Sequence, residues 1–279
     1  MSTRINHNIL SLTAQRNIYA AQNSLDVAVQ RLSSGLRINN AWDDPAGLAV
    51  SERFRAQISS MAEAERNANY NVNLLQTAEG ALSVIDEKLI RMRSLAIQGS
   101  NGALSETDRA ALNVEFQQLK SEITRIASVT NYNDLKLIDG SFSTGTTGLK
   151  FHIGTYNTNG LDYYYVNLED MRASALGLTD AEVTNTANAQ AAIDLLDTAI
   201  DSKDTERTRI GAYVERLQNT ILNLQISAES AQRSESQIRD ADIAAEMSNF
   251  IRAQILMQTG ISMLGQANII PQMVAGLVG

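Results

Sequence analysis

Between Pro45 and Gln98 the chain carries no further proline, and Gly47 and Gly80 are the only glycines inside the run. Through it Ile58, Met61, Leu74, Leu75, Ala78, Leu82, Ile85, Leu89, Met92 and Leu95 recur at helical intervals, the period of one buried helix face. Asp43-Asp44-Pro45 supplies the start: a carboxylate caps free amides, and proline gives up the amide that would otherwise be orphaned. One helix of this length spans on the order of 80 Å at the standard rise. A compact ball of ordinary domain size has no room for it, so the expectation is an elongated arrangement of antiparallel helices.

The rest of the chain fits that expectation. Gly99-Ser-Asn-Gly102 reads as a turn, and Ser105-Glu-Thr-Asp108 as a capping-box start for a helix to about Val129, buried through Leu112, Phe116, Leu119, Ile123 and Ile126. Between about residues 140 and 170 the period changes to two. Leu149, Phe151 and Ile153 alternate with Lys150 and His152, and Tyr164, Val166 and Leu168 alternate with Tyr163, Tyr165 and Asn167 across a turn at 157–160. That pattern predicts one small β-hairpin region. From about Ala187 helix resumes to the C-terminus, with Leu195, Ile210, Val214, Leu217, Ile221, Leu224 and Ala228 on one face. No internal repeat and no low-complexity linker interrupts the order.

The two ends are unlike ordinary surface helices. Ala253 to Gly279 contains no charged side chain, yet Gln254, Gln258, Thr259, Ser262, Gln266, Asn268 and Gln272 break it too often for a membrane span. At helical period it has two stripes: apolar Ile243, Met247, Phe250, Met257, Ile261 and Leu264, and neutral polar Gln254, Gln258, Ser262 and Gln266. The N-terminus offers Ile5, Ile9, Leu12, Tyr19, Leu25, Val29 and Leu32 at near-heptad spacing, and no secretory signal peptide is expected there. Such ends pair with each other, with copies of the chain, or simply complete the core of a helical bundle.

Composition removes several classes of function. With 44% hydrophobic but only 5% aromatic residues and two prolines, the chain suits long helices with small-residue packing. A net charge of −8 argues against nucleic acid as partner, and the absence of cysteine removes disulfides and thiolate metal sites. The only histidines, His7 and His152, have no metal-binding spacing. There is no nucleophile elbow, phosphate-cradling loop or dinucleotide fingerprint, and Asp240 and Asp242 are spaced for different helix faces. No enzymatic activity, cofactor or metal is expected.

Several motifs carry a family resemblance. Arg31-Leu-Ser-Ser-Gly-Leu-Arg-Ile-Asn-Asn40, Asp43-Asp-Pro-Ala-Gly-Leu-Ala49 and Asn69-Tyr-Asn-Val-Asn-Leu-Leu-Gln-Thr-Ala-Glu-Gly-Ala-Leu82 resemble the N-terminal signature of bacterial flagellins. Glu235-Ser-Gln-Ile-Arg-Asp-Ala-Asp242 and Gly265-Gln-Ala-Asn-Ile-Ile-Pro-Gln272 resemble their C-terminal part, so the likeness covers roughly residues 1–140 and 190–279. It implies a mainly α rod with two domains: D0 from residues 1–42 and 238–279, forming the inner filament tube, and D1 from 43–237, including the hairpin. No D2 or D3 domain is expected. The related alternatives are a hook–filament junction protein, which Gln266-Ala-Asn268 and Pro271-Gln272 argue against, and a soluble coiled-coil adaptor.

The resemblance also implies partners and site residues. The chain would be exported unfolded through the flagellar type III channel and polymerise with itself through Ile5, Ile9, Leu12, Leu25, Leu32, Met247, Phe250, Met257, Ile261 and Leu264. Gln254, Gln258, Ser262 and Gln266 would face the filament lumen. Other partners would be an export chaperone on the C-terminal helix, the filament cap and the hook-junction proteins. Arg91-Met-Arg-Ser-Leu-Ala-Ile-Gln98 resembles the motif read by the host Toll-like receptor, with Arg91, Leu95 and Glu122 as its contacts. Trp42 and Pro45 depart from smaller residues and would stiffen the D0–D1 joint; Tyr213 and Glu215 would alter a lateral contact. No Asn-x-Ser/Thr sequon exists, so any glycan on Ser141, Ser143, Thr144, Thr146 or Thr147 would be O-linked.

Overall fold

In a computed structural model that describes residues 7–143 and 148–278, five helices and two small hairpins follow one another along the chain. The helices are α1 (Ile9–Ser34), α2 (Pro45–Gly99), α3 (Glu106–Val129), α4 (Thr186–Arg239) and α5 (Ile243–Val278). Strands β1 (Asn131–Tyr132) and β2 (Leu135–Lys136) form one antiparallel hairpin, β3 (Leu149–His152) and β4 (Tyr163–Val166) the other. The chain divides into two compact units, Met1–Ile58 with Glu229–Gly279, and Ser59–Ala228. The sequence division at 42/43 and 237/238 lies closer to the ends, because the first turns of α2 and the last of α4 group with the terminal helices.

Capping sets most of the boundaries. Asn8 accepts from Ser11 N at 3.1 Å, and α1 ends where Gly35 turns left-handed (φ 71°) and donates to Arg31 O. Asp44 accepts from Gly47 N at 2.9 Å ahead of α2, Pro45 taking the position where no amide is needed. Ser105 and Asp108 form a full capping box on α3. Asn185 accepts from Asn188 N at the start of α4. The last helical run, expected to be continuous, breaks after Arg239: Asp242 accepts from Ala244 N and Ala245 N and starts a new helix.

The central unit, Ser59–Ala228, is built on α2. Leu75, Ala78, Leu82, Ile85, Leu89, Met92 and Leu95 are all buried, as their spacing predicts. They join Phe116 and Ile123 of α3, Ala189, Ala192, Leu196, Ala199, Ile210 and Leu217 of α4, and Phe151, Tyr164, Val166 and Leu168 of the second hairpin. The β3–β4 register, Leu149↔Val166 and Phe151↔Tyr164, puts the alternating apolar residues on one face. Asp162 rigidifies the connecting loop by accepting from Tyr156 N and Thr158 N, which holds its carboxyl below the usual range. The β1–β2 hairpin was not expected; its two-residue strands are too short to show a period, and Asn133 and Asp134 alone signal it, both left-handed.

One feature of this core runs against the sequence pattern. Lys203 and Glu206 occupy the inward positions between Ala199 and Ile210 on α4 and are almost fully buried. Lys203 Nζ reaches Asp86 Oδ1 at 2.5 Å and Asp204 Oδ1 at 2.6 Å. Glu206 pairs with Arg209 at 2.5 Å, and Arg209 also reaches Glu169 of the segment after β4. Burial pushes the Glu206 carboxyl above the usual carboxylate range. Tyr213 packs inward as well, its ring stacked on Tyr164 at 6.3 Å, so on this chain it serves the core face of the hairpin.

Candidate assembly interface

In the terminal unit α1 and α5 lie antiparallel. Asn8 Nδ2 donates to Ala267 O at 2.8 Å near one end, and Arg31 meets Glu246 at 2.8 Å near the other. The seam between them alternates small and large residues. On α1, Ser11, Ala14, Ile18, Ala21, Leu25, Ala28 and Leu32 turn inward at heptad spacing, and on α5 Glu246, Phe250, Ala253, Met257, Gly260, Leu264 and Ala267 do so. At Gly260 a Cβ would stand 2.8 Å from Ile18 Cγ1, so close approach at this point depends on glycine.

The candidate assembly residues therefore fall into two groups. Leu25, Leu32, Phe250, Met257 and Leu264 belong to the seam within one chain. Ile9, Leu12, Met247 and Ile261 are exposed, together with Tyr19 at 68% and Ile243. Ile5 lies outside the described residues. The seam mixes the first group's large side chains with alanines, one glycine and one paired glutamate, while the other four described candidates point away from it. Beyond those candidates, Ile251, Ile255, Leu256 and Met263 of α5 are also exposed. No helix among the described residues is long and apolar enough to cross a membrane.

Gln254, Gln258, Ser262 and Gln266 are all exposed. At about 100° per residue they centre roughly 150° from the seam, on the face of α5 turned away from α1. Ile251 and Ile255 share that face, so the neutral polar stripe begins only after an apolar turn.

A tie binds the segments that flank the pair. Leu36 bridges Asp240, Arg37 N donates to Arg239 O, Ala241 N donates to Gly35 O, and the Arg37 guanidinium caps the end of α4 at Ile238 O. Arg239 in turn pairs with Glu52 at 2.8 Å. Asp43 adds to the tie by accepting from Asn39 N and Asn40 N, and Trp42 beside it is exposed at 79%.

The three receptor-motif residues, Arg91, Leu95 and Glu122, lie in different surroundings. Leu95 is 1% exposed and belongs to the central core, because it continues the inward α2 face through Leu89 and Met92. Arg91 is exposed and pairs with Glu115 at 2.8 Å, the guanidinium holding that carboxyl below its ordinary range. Glu122 lies two helical turns further on and pairs with Arg125 at 2.6 Å. The acidic residue that the fold sets against Arg91 is thus Glu115.

Comparison with known proteins decides what this arrangement belongs to. The model of the bacterial flagellin N-terminal helical region matches residues 5–143, and that of the C-terminal helical region matches 193–278. The chain belongs to the bacterial flagellin family. A flagellin of Halalkalibacterium halodurans is 43% identical over 98% of this chain and 99% of its own length. The flagellar filament 33 kDa core protein of Treponema phagedenis is 38% identical over the same shares of the two chains. A putative flagellar hook-associated protein from Vibrio parahaemolyticus, 14% identical with a TM-score of 0.58, covers 71% of this chain and is itself covered completely, which shows a shared fold. Flagellins are structural proteins, not enzymes, and this flagellin is a filament subunit whose partner is first of all itself.

Proposed function

We propose that this flagellin is exported unfolded through the flagellar type III channel and polymerises outside the cell into the filament that drives swimming. The paired α1 and α5 form the D0 inner tube and the remaining helices with the β3–β4 hairpin form D1. The observation that carries the reading is the coverage of α5. It is apolar around much of its circumference, yet α1 covers one side and Ile243, Ile251, Ile255 and Met263 stay exposed. A helix of that kind is stable when other surfaces enclose it, and a growing filament end offers them.

Before assembly the pair lacks that cover, so both ends stay disordered and fold on docking, and α5 is the segment an export chaperone shields. Cap and hook-junction proteins contact the same ends. The Gln254–Gln266 stripe lines the lumen, where neutral amides hydrate without gripping passing charges. Recognition by the host Toll-like receptor rests on the exposed Arg91–Glu115 pair, with Leu95 shaping α2 from beneath.

Seeded polymerisation of the full chain beside a chain lacking 240–279, viewed by negative-stain microscopy, tests the proposal. Smooth filaments from the first and none from the second are expected. A full chain that stays monomeric with exchange-protected terminal amides would overturn it in favour of a soluble adaptor.

A further inference from the structure

We infer that the two flanks of the α1–α5 pair are the two halves of a head-to-tail interface between copies, with Arg252 of one copy meeting Asp26 of the next. This rests on the filament reading and adds which surfaces meet and in what register. One flank is a groove of about 990 Å³, rimmed by Leu10, Val27, Leu256 and Met263 over a floor that includes Ala21 and Ala253. The opposite flank carries Leu12, Tyr19 and Asp26, seven residues apart and all exposed, a single stripe on α1. Asp26 lies about 160° around α1 from the groove residue Ser24.

Charge selects the occupant. Between Ile243 and Val278 the only charged residues are Glu246 and Arg252, and Glu246 is paired with Arg31 inside the chain. Arg252 stands on the groove wall with no ionic partner among the described residues, and Asp26 on the other flank has none either. An unpaired cation on a groove wall, beside an Arg31–Glu246 pair that is already closed, is costly to cover unless the covering surface brings an anion. Register agrees: counting along the antiparallel pair from Gly260 opposite Ile18, Arg252 falls at the height of Asp26. The groove residues Arg252, Leu256, Thr259 and Met263 also repeat at heptad spacing, so two copies side by side set one heptad stripe against another, antiparallel.

Symmetry removes the alternative. A two-fold contact through this flank places groove on groove, and the one carboxylate of the groove, Glu246, is already taken by Arg31, so neither Arg252 gains an anion. Groove on ridge is heterologous, and a heterologous contact propagates. The two residues cannot meet within one copy because they occupy opposite flanks.

The cysteine-free chain makes the test direct. A D26C/R252C chain is polymerised under reducing conditions, oxidised with copper phenanthroline and run on a non-reducing gel. A ladder of multimers is expected, absent from either single-cysteine chain and from unpolymerised protein. Filaments that form without a ladder, or dimers from a single-cysteine chain, overturn the inference and leave the filament reading standing; wild-type chain that forms no filaments removes that reading itself. Should the cysteine chain not polymerise, charge exchange reads the same contact. D26R and R252D each raise the critical concentration about tenfold or more, and the two together in one chain restore it. A double variant as poor as the singles overturns the inference.

Discussion

Lys203 Nζ sits 2.5 Å from Asp86 Oδ1, joining α4 to α2 inside the core of the central unit, with the lysine side chain 2% exposed. An ammonium so far from water is held by its partners, and the two sides of the pair are not equivalent. Asp86 keeps 24% exposure and has Arg207 at 4.0 Å as a second neighbour, whereas Lys203 has only Asp86 and the more exposed Asp204. Asp86→Asn should therefore destabilise the chain by about 2 kcal/mol, because it strands a buried charge, while Lys203→Met should cost less than about 1 kcal/mol. Urea unfolding of the monomer followed by far-ultraviolet circular dichroism orders the two variants; the reverse order would mean that the pair is not desolvated.

Glu206 gives a pH signature of the opposite sign to most carboxylates. Its folded value is raised by burial, so the folded state binds the proton more readily than the unfolded chain does. The stability it contributes is full below the ordinary carboxylate range near 4.5 and is lost as pH rises through the raised value. Glu206→Gln does not titrate. Its stability relative to the wild type should rise steadily between about pH 4 and pH 7, measured as the difference in urea midpoints. A difference that is flat across that range would mean that Arg209 fully compensates the burial.

The two receptor candidates on α2 separate by what they touch. Leu95→Ala opens a cavity in the central core and should cost about 3 kcal/mol. Arg91→Ala removes an exposed ion pair with Glu115 and should leave the unfolding midpoint where it was. Receptor-reporter assays on the same two proteins complete the comparison. Arg91→Ala that lowers signalling at unchanged stability assigns the contact to the Arg91–Glu115 surface; unchanged signalling would remove it.

Much of this fold was legible because long helices repeat one local rule many times. Leu75 through Leu95 fix the inward face of α2, and Asp44-Pro45 and Ser105-Asp108 fix the starts of α2 and α3. The β3–β4 hairpin announced itself by alternation. Residue type by itself did not mark every buried position. Lys203 and Glu206 look like surface residues by type, but they fall on the three–four spacing that buries their neighbours Ala199 and Ile210. Ile9, Leu12, Met247 and Ile261 stay exposed on the chain alone, whereas Leu25, Leu32, Phe250, Met257 and Leu264 share the seam with alanine and glycine, a split that periodicity alone does not mark. Glu115 carried no signal in the sequence, because only the packing of α3 on α2 sets which carboxylate meets Arg91.

Gly260 is the most exacting position in the terminal pair. An added Cβ would lie 2.8 Å from Ile18 Cγ1, and a β-branched side chain adds two further carbons to that space. Because α1 and α5 are held at their two ends by Asn8 with Ala267 O and Arg31 with Glu246, the helices cannot slide to relieve the clash without breaking both ties. Gly260→Val should therefore push the helices apart at a cost of about 1–3 kcal/mol per subunit, and filaments of it should disassemble at a lower temperature than wild type. Gly260→Ala, whose single methyl meets Ile18 Cγ1 and adds no further carbons, should fall between them. The double variant Gly260→Ala with Ile18→Ala, which removes the Cγ1 carbon that the new methyl would meet, should recover part of the loss. Light scattering during a slow temperature ramp measures all four; equal disassembly temperatures would show that the α1–α5 seam opens in the filament and that Gly260 faces something other than Ile18.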